Sequence, residues 1–163
     1  MDCTHIPEIS CFYSDTIASH ILNPSAHFEY EMILVTDGSA QVQIHDRTYP
    51  LQRGSLLFIS RLEQHQFCIV KEPYCRYVLS VSSDLLLSHL NEPRLASIFM
   101  QRPEYFSHVV QLNEEQLAYF LPFFQKSADE YEKQSDFYTL QSIALLLSVL
   151  ISLYRLYPNA FPM

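Results

Sequence analysis

The sequence predicts a mainly β domain followed by helices, on three observations. From residue 9 to residue 82, short apolar or alternating runs recur about every 8–12 residues with turn-forming pairs between them, the spacing of a closed all-β sandwich or barrel. After Ser83 the apolar period changes from two to between three and four, as on helices. The 163 residues are 48% apolar and 17% charged. A single domain of that size buries about 70% of its unfolded surface and needs no disulfide or metal to hold it.

ISCFY (9–13) and TIASHIL (16–22) read as the first strands, with Ser14-Asp15 between them and Asn23-Pro24 as the next break. FEYEMILVT (28–36) runs to Asp37-Gly38, a strong tight-turn pair, and AQVQIH (40–45) alternates apolar and polar. TYPLQ comes after the Asp46-Arg47 turn, and SLLFIS (55–60) after Arg53-Gly54. HQFCIV (65–70) and CRYVLSVS (75–82) complete the set, separated by Glu72-Pro73. With only two glycines in the chain, Gly38 and Gly54 are expected at backbone positions that other residues would strain.

In the second half, Ser83 or Asp84 can cap a short helix, DLLLSHLN, and Pro93 restricts the chain around it. Asn113 with Gln116 three residues on has the form of a capping box opening EEQLAYFLPFFQKSADEYEKQ. Pro122 inside that pattern predicts a kink or a late start. The last helix runs from about Asp136 to Tyr157, before Pro158-Asn159. It carries two apolar stripes, one of Phe137, Leu140, Ala144, Leu147 and Ile151, the other of Ile143, Leu146, Leu150, Leu153 and Tyr157. Two stripes mean two covered sides. The second stripe, Ile143, Leu146, Leu150 and Leu153, is assigned to a contact with another copy of the chain; burial within the monomer is the alternative.

A net charge of −8, with ten scattered lysines and arginines, excludes strong nucleic-acid binding by this chain alone. Cys3, Cys11, Cys68 and Cys75 lack metal-site spacing and are expected as reduced thiols. The N-terminus has no secretory pattern, and the longest apolar stretch (143–154) is shorter than a membrane span, so a cytoplasmic protein without membrane contact is expected.

Period-2 geometry puts His27, Glu29 and Glu31 on one strand face that continues as Ile33 and Val35. Carboxylates on an otherwise apolar inner face need partners, so this end of the strand should line a pocket. Tyr77 shares the parity of Leu79 and Val81, taken as inward, and offers a flat face with a hydroxyl. His27, Glu29, Glu31, His65 and Tyr77 are therefore the candidate ligand contacts, suited to a polyhydroxylated or cationic molecule. The remaining histidines show no partner spacing and are placed on the surface by default.

The spacing His27, Glu31, Gly38 resembles the first motif of the cupin superfamily, and Gly54, Ser60, His65 resembles its second. Three of four metal-ligand positions of that superfamily are matched by His27, Glu31 and His65; the fourth is Ser25, and Ser60, Leu62 and Ile69 depart from the second motif. On those departures no cofactor is expected. The wider pattern is EMILVTDGSAQVQIHDRTYPLQRGSLLFISRLEQH, then YVLSVSSDLL, then two long helices. It is similar to the N-terminal half of AraC-type transcription regulators.

That resemblance implies a cupin-like, jelly-roll barrel over residues 1–83 and a helical region over 84–163 with two long antiparallel helices. It also implies a small-molecule effector, often a sugar, a homodimer, no enzymatic activity, and DNA reading by a C-terminal helix-turn-helix domain expected beyond this chain. A metal-dependent cupin enzyme, an isomerase or dioxygenase, is the alternative.

Overall fold

Two long strands carry the sheet, and the rest of the fold is arranged around them. The computed structural model describes residues 8–16 and 25–162. Its strands are β1 (Ile9–Thr16), β2 (Tyr30–Ile44), β3 (Arg47–Leu51), β4 (Ser55–Ile59), β5 (His65–Val81) and β6 (Val109–Gln111). They form one antiparallel sheet in the order β1-β5-β2-β4-β6, with β3 paired to β2. Apart from Thr16, the expected strand 16–22 lies outside the described residues.

The pairs Asp37-Gly38 and Glu72-Pro73, expected as turns, instead lie within continuous strands. β2 passes Gly38 through register shifts between Val35 and Ala40, while β5 continues alongside it from Tyr30↔Val81 to Ile44↔His65. A partner strand that continues past the Asp-Gly pair outweighs its local preference for a hairpin, and the extra residues become bulges. Gly38 has φ 71°, and a Cβ there would stand 2.0 Å from the Pro73 carbonyl oxygen. Gly54, at φ 89°, is also tightly pressed, with the Leu112 carbonyl oxygen 2.5 Å from where its Cβ would be. Both glycines therefore occupy positions closed to other residues.

The sheet is apolar on both faces. Ile33, Val35, Val42, Ile44, Leu57, Ile59, Ile69 and Tyr74 form one core. Met32, Leu34, Leu56, Phe58, Leu79 and Val81 face the helices in another. This explains why EMILV and SLLFI read as unbroken apolar runs rather than alternations, since every residue of β4 is buried.

Among the described residues there are four α-helices, α1 (Ser83–His89), α2 (Pro93–Ala96), α3 (Glu114–Lys133) and α4 (Tyr138–Leu156), then a 3-10 turn at Pro158–Ala160. Ser82, one residue before the expected cap, accepts from the Leu85 amide. Asn113 and Gln116 form the reciprocal capping box, with bonds of 2.8 and 3.0 Å. α3 neither ends nor starts at Pro122. Ala118, whose carbonyl loses its donor to Pro122, is exposed, so water can satisfy that carbonyl. Short β6, preceding α3, is not signalled by any periodicity.

α3 and α4 are antiparallel, joined near one end by Tyr119 Oη···Ser152 Oγ at 3.1 Å and by Tyr157 Oη donating to Gln116 Oε1 at 2.6 Å. Here one expectation is overturned. Ile143, Leu146, Leu150 and Leu153 are buried within the monomer, against α3 and the helix-covered face of the sheet. The sheet's second apolar face needs covering, and this stripe covers it. The other stripe is the uncovered one, with Phe137 and Leu140 exposed and Ala144 and Ile151 beside them. α4 has the length and apolarity of a membrane span. Packing of its buried side into the domain core accounts for much of that apolarity.

Candidate functional site

The face of the sheet away from the helices, called the inner face below, turns polar at one end. His27 lies just before β2, where its carbonyl accepts from the Leu62 amide at 2.7 Å, and His65 opens β5, where its backbone exchanges hydrogen bonds with Ser25. Glu31 is the second residue of β2. One ligand atom from each of His27, Glu31 and His65 lies within 4.8 Å of the others. The imidazole rings stand edge to face, 5.1 Å between centroids.

Both rings are oriented by backbone. His27 Nδ1 lies 3.1 Å from the Glu29 carbonyl oxygen, and His65 Nδ1 lies 2.9 Å from that of Glu63. If each Nδ1 donates there, each Nε2 is left free for the cluster, the arrangement that second-shell bonds give to metal-ligating histidines. His27 Nε2 meets the Glu31 carboxylate, and His65 Nε2 faces Ser25 Oγ at 3.4 Å. The Glu31 hydrogen bond raises the His27 pKa against the opposing effect of burial.

Glu29 belongs to the edge of this cluster, its carboxylate 3.8 Å from His27 Nδ1. Tyr77 does not belong to it. Tyr77 pairs with Leu34 across the strands and packs on Tyr13 and Phe124, on the helix-covered face. The inward parity assigned to Tyr77, Leu79 and Val81 is reversed, because over this part of β5 it is Tyr74 and Val78 that lie on the inner face.

A second polar group adjoins the first and has no counterpart in the sequence motifs. Glu63 is held by Arg102 Nη2 at 2.5 Å, His108 Nε2 at 3.0 Å and the Ser60 amide at 3.1 Å. His108 is bonded in turn to the Tyr49 hydroxyl at 2.8 Å. Burial alone would raise the Glu63 pKa, but the His108 hydrogen bond and the Arg102 charge hold it down at about 2. His108 is thus buried rather than on the surface. Ser60, Glu63, Arg102 and His108 border a cavity of about 670 Å³ that also reaches His45, Arg47 and Arg61. Glu63 and His108 are 45 positions apart, with no motif to link them. Tyr74 also escapes the sequence reading. It is almost fully buried on the inner face, and its hydroxyl has no hydrogen-bond partner.

By donor type and number, the cluster fits a divalent transition metal, with two imidazole nitrogens and one carboxylate. It fits a hydroxyl-rich organic molecule through the same acceptors.

No curated protein sequence matches the chain. Among solved structures, similarity extends to the cupin domain of Schizosaccharomyces pombe Cnp3, with 10% identity and TM-score 0.45, covering 50% of this chain and 61% of that one. It extends also to a Cupin 2 conserved barrel domain protein from Salinispora arenicola, with 15% identity and TM-score 0.43, covering 52% and 72%. KdgF from Halomonas gives 14% identity and TM-score 0.43, covering 47% and 72%. The chain thus spans less than two thirds of the first of these. The model of the AraC-like ligand binding domain matches residues 7–150, across the sheet and into α4, and the chain belongs to that family.

Proposed function

We propose that this chain is the effector-sensing part of an AraC-type transcription regulator. In this reading the sheet closes as a cupin-type barrel over residues 1–83, the region 84–163 serves dimerisation, and DNA recognition belongs to a separate helix-turn-helix domain. The chain acts without catalysis. The observation that carries the reading, beside family membership, is the polar cluster His27, Glu31 and His65, with Glu29 at its edge, on an otherwise apolar face. Acceptor oxygens and oriented imidazoles match a small polyhydroxylated effector such as a sugar. The unpartnered Tyr74 hydroxyl adds a hydrogen-bonding group deeper on the same face.

A panel of monosaccharides and polyols, screened by thermal shift, tests this. A ligand at about a hundred times its Kd stabilises the domain by about 2.7 kcal/mol. The gain should be lost in His65→Ala. Stabilisation that survives His65→Ala and Glu31→Gln would place the effector elsewhere.

Dimerisation is assigned to the exposed stripe of α4, Leu140, Ala144 and Ile151, with half-buried Leu147 at its edge. Its support is the three- and four-residue recurrence of apolar residues on a side of the helix that the monomer leaves uncovered.

A second reading is favoured by the orientation of the two rings, whose Nδ1 atoms face backbone carbonyls. In it the same three side chains hold a divalent transition metal, which would supply a Lewis acid beside the effector. Elemental analysis of protein purified without chelator separates the readings. Stoichiometric metal, lost in His65→Ala, supports the second; metal-free protein that still binds its effector supports the first.

A further inference from the structure

The helix-covered side of the sheet carries a groove that the effector reading does not use. It lies between β1, β5 and α3, with a volume of about 510 Å³. Tyr13 and Tyr77 are directly paired across β1 and β5, with ring centroids 5.3 Å apart and planes inclined by 59°. Phe124 backs Tyr77, and buried Cys11 lies at the base. The opposite wall is one stripe of α3, Gln125, Ala128, Asp129 and Glu132, with Tyr131 beside it. Tyr13 is half exposed, so its ring is available from the groove.

The charge of this groove is one-sided. Asp129 and Glu132 line it, Asp15 comes two positions after Tyr13 on the same face of β1, and no lysine or arginine is among the lining residues. Lys133 pairs with Asp129 at 3.1 Å, both side chains exposed to water, which leaves Glu132 without a cationic partner among the described residues. Inclined aromatic faces attract a cation through their quadrupole, and carboxylates at the rim add a directionless attraction. Neither element favours an anion, and the aromatic walls disfavour a small, strongly hydrated metal ion.

We propose that this groove binds a small organic ammonium cation, seated on Tyr13 and Tyr77 with Glu132 as its counter-ion. The site is on the face of the sheet opposite to His27, Glu31 and His65, so it stands or falls separately from the effector reading.

Choline is a suitable probe, with 3,3-dimethyl-1-butanol as its uncharged isostere. Titration followed by NMR on the whole chain should show saturable shifts at β1, β5 and α3 with choline and none with the isostere. Tyr13→Leu and Glu132→Gln should each weaken choline binding by about fivefold or more, with circular dichroism unchanged. Glu132 is exposed, so its substitution does not threaten the fold. His65→Ala should leave choline binding intact. Absence of saturation up to about 50 mM overturns the proposal, as does equal binding of the isostere. Unaltered affinity in both groove variants overturns it too.

Discussion

Glu63 shows how much one side chain can tie together. It joins the β4–β5 turn to Arg102 and His108, which lie in the segment before β6, and it is 10% exposed. Its folded pKa of about 2 lies below the ordinary carboxylate value of 4.5. The unfolded chain therefore takes up the proton first as pH falls. The stability that Glu63 contributes is fully present above about pH 4.5 and is lost as pH falls towards 2. Glu63→Gln should lower stability at pH 7 and flatten the loss between pH 5 and 2, as measured by urea denaturation across that range. An unchanged acid slope would show that Glu63 does not govern it.

Gly38 makes a different demand on its position. A side chain there meets two carbonyl oxygens, of Pro73 and Lys71, at 2.0 and 2.6 Å, in addition to the strain of positive φ. Gly38→Ala should therefore cost more than the roughly 1–2 kcal/mol of left-handed strain alone. Chemical denaturation gives the value directly, and a loss below about 1 kcal/mol would mean that β5 yields easily.

At the scale of elements, the two sides of α4 separate stability from association. Leu146 has 0% exposure within the core between α4, α3 and the sheet. Leu146→Ala should cost about 2–5 kcal/mol in unfolding free energy, with no dependence on protein concentration. On the other side, Leu140→Glu with Ile151→Glu, both at exposed positions, should leave the fold intact and yield a monomer by light scattering. If the wild-type chain is already monomeric at tens of micromolar, or if the double variant still dimerises, the stripe does not form the contact. The capping box opening α3 is a smaller effect of the same kind. Asn113→Ala removes an acceptor for the Gln116 amide and should cost about 1 kcal/mol.

Across the whole molecule, the sheet has two apolar faces with different roles. One is closed off by α3 and α4, and the other carries the polar cluster at its end. An effector bound at that cluster should raise the midpoint of thermal unfolding by several degrees at saturation, since 1 kcal/mol is worth about 2–4 °C in a domain of this size. Leu140→Glu with Ile151→Glu should leave that rise unchanged if sensing and association occupy separate faces. A rise abolished together with the dimer would show that the two are coupled through the sheet.

The change from strands to helices after Ser83 and the Asn113–Gln116 cap were legible in the sequence, because each is set by neighbours a few positions away. Both glycines were legible through their rarity, although the carbonyls that press on them, of Pro73 and Leu112, are distant in sequence. The adjacency of His27, Glu31 and His65 was legible through strand period and motif spacing. Three features were decided only by the tertiary structure. The pairing of Glu63 with Arg102 and His108 joins residues dozens of positions apart, which no local pattern records. The face of Tyr77 depended on which side of the sheet the helices cover, because strand parity groups Tyr77 with Leu79 and Val81 but their partners Leu34, Met32 and Tyr30 lie on the helix-covered face. The covered stripe of α4 depended on where the sheet was apolar. Period along a helix identifies its apolar sides, but only the surface it packs against determines which of them is buried.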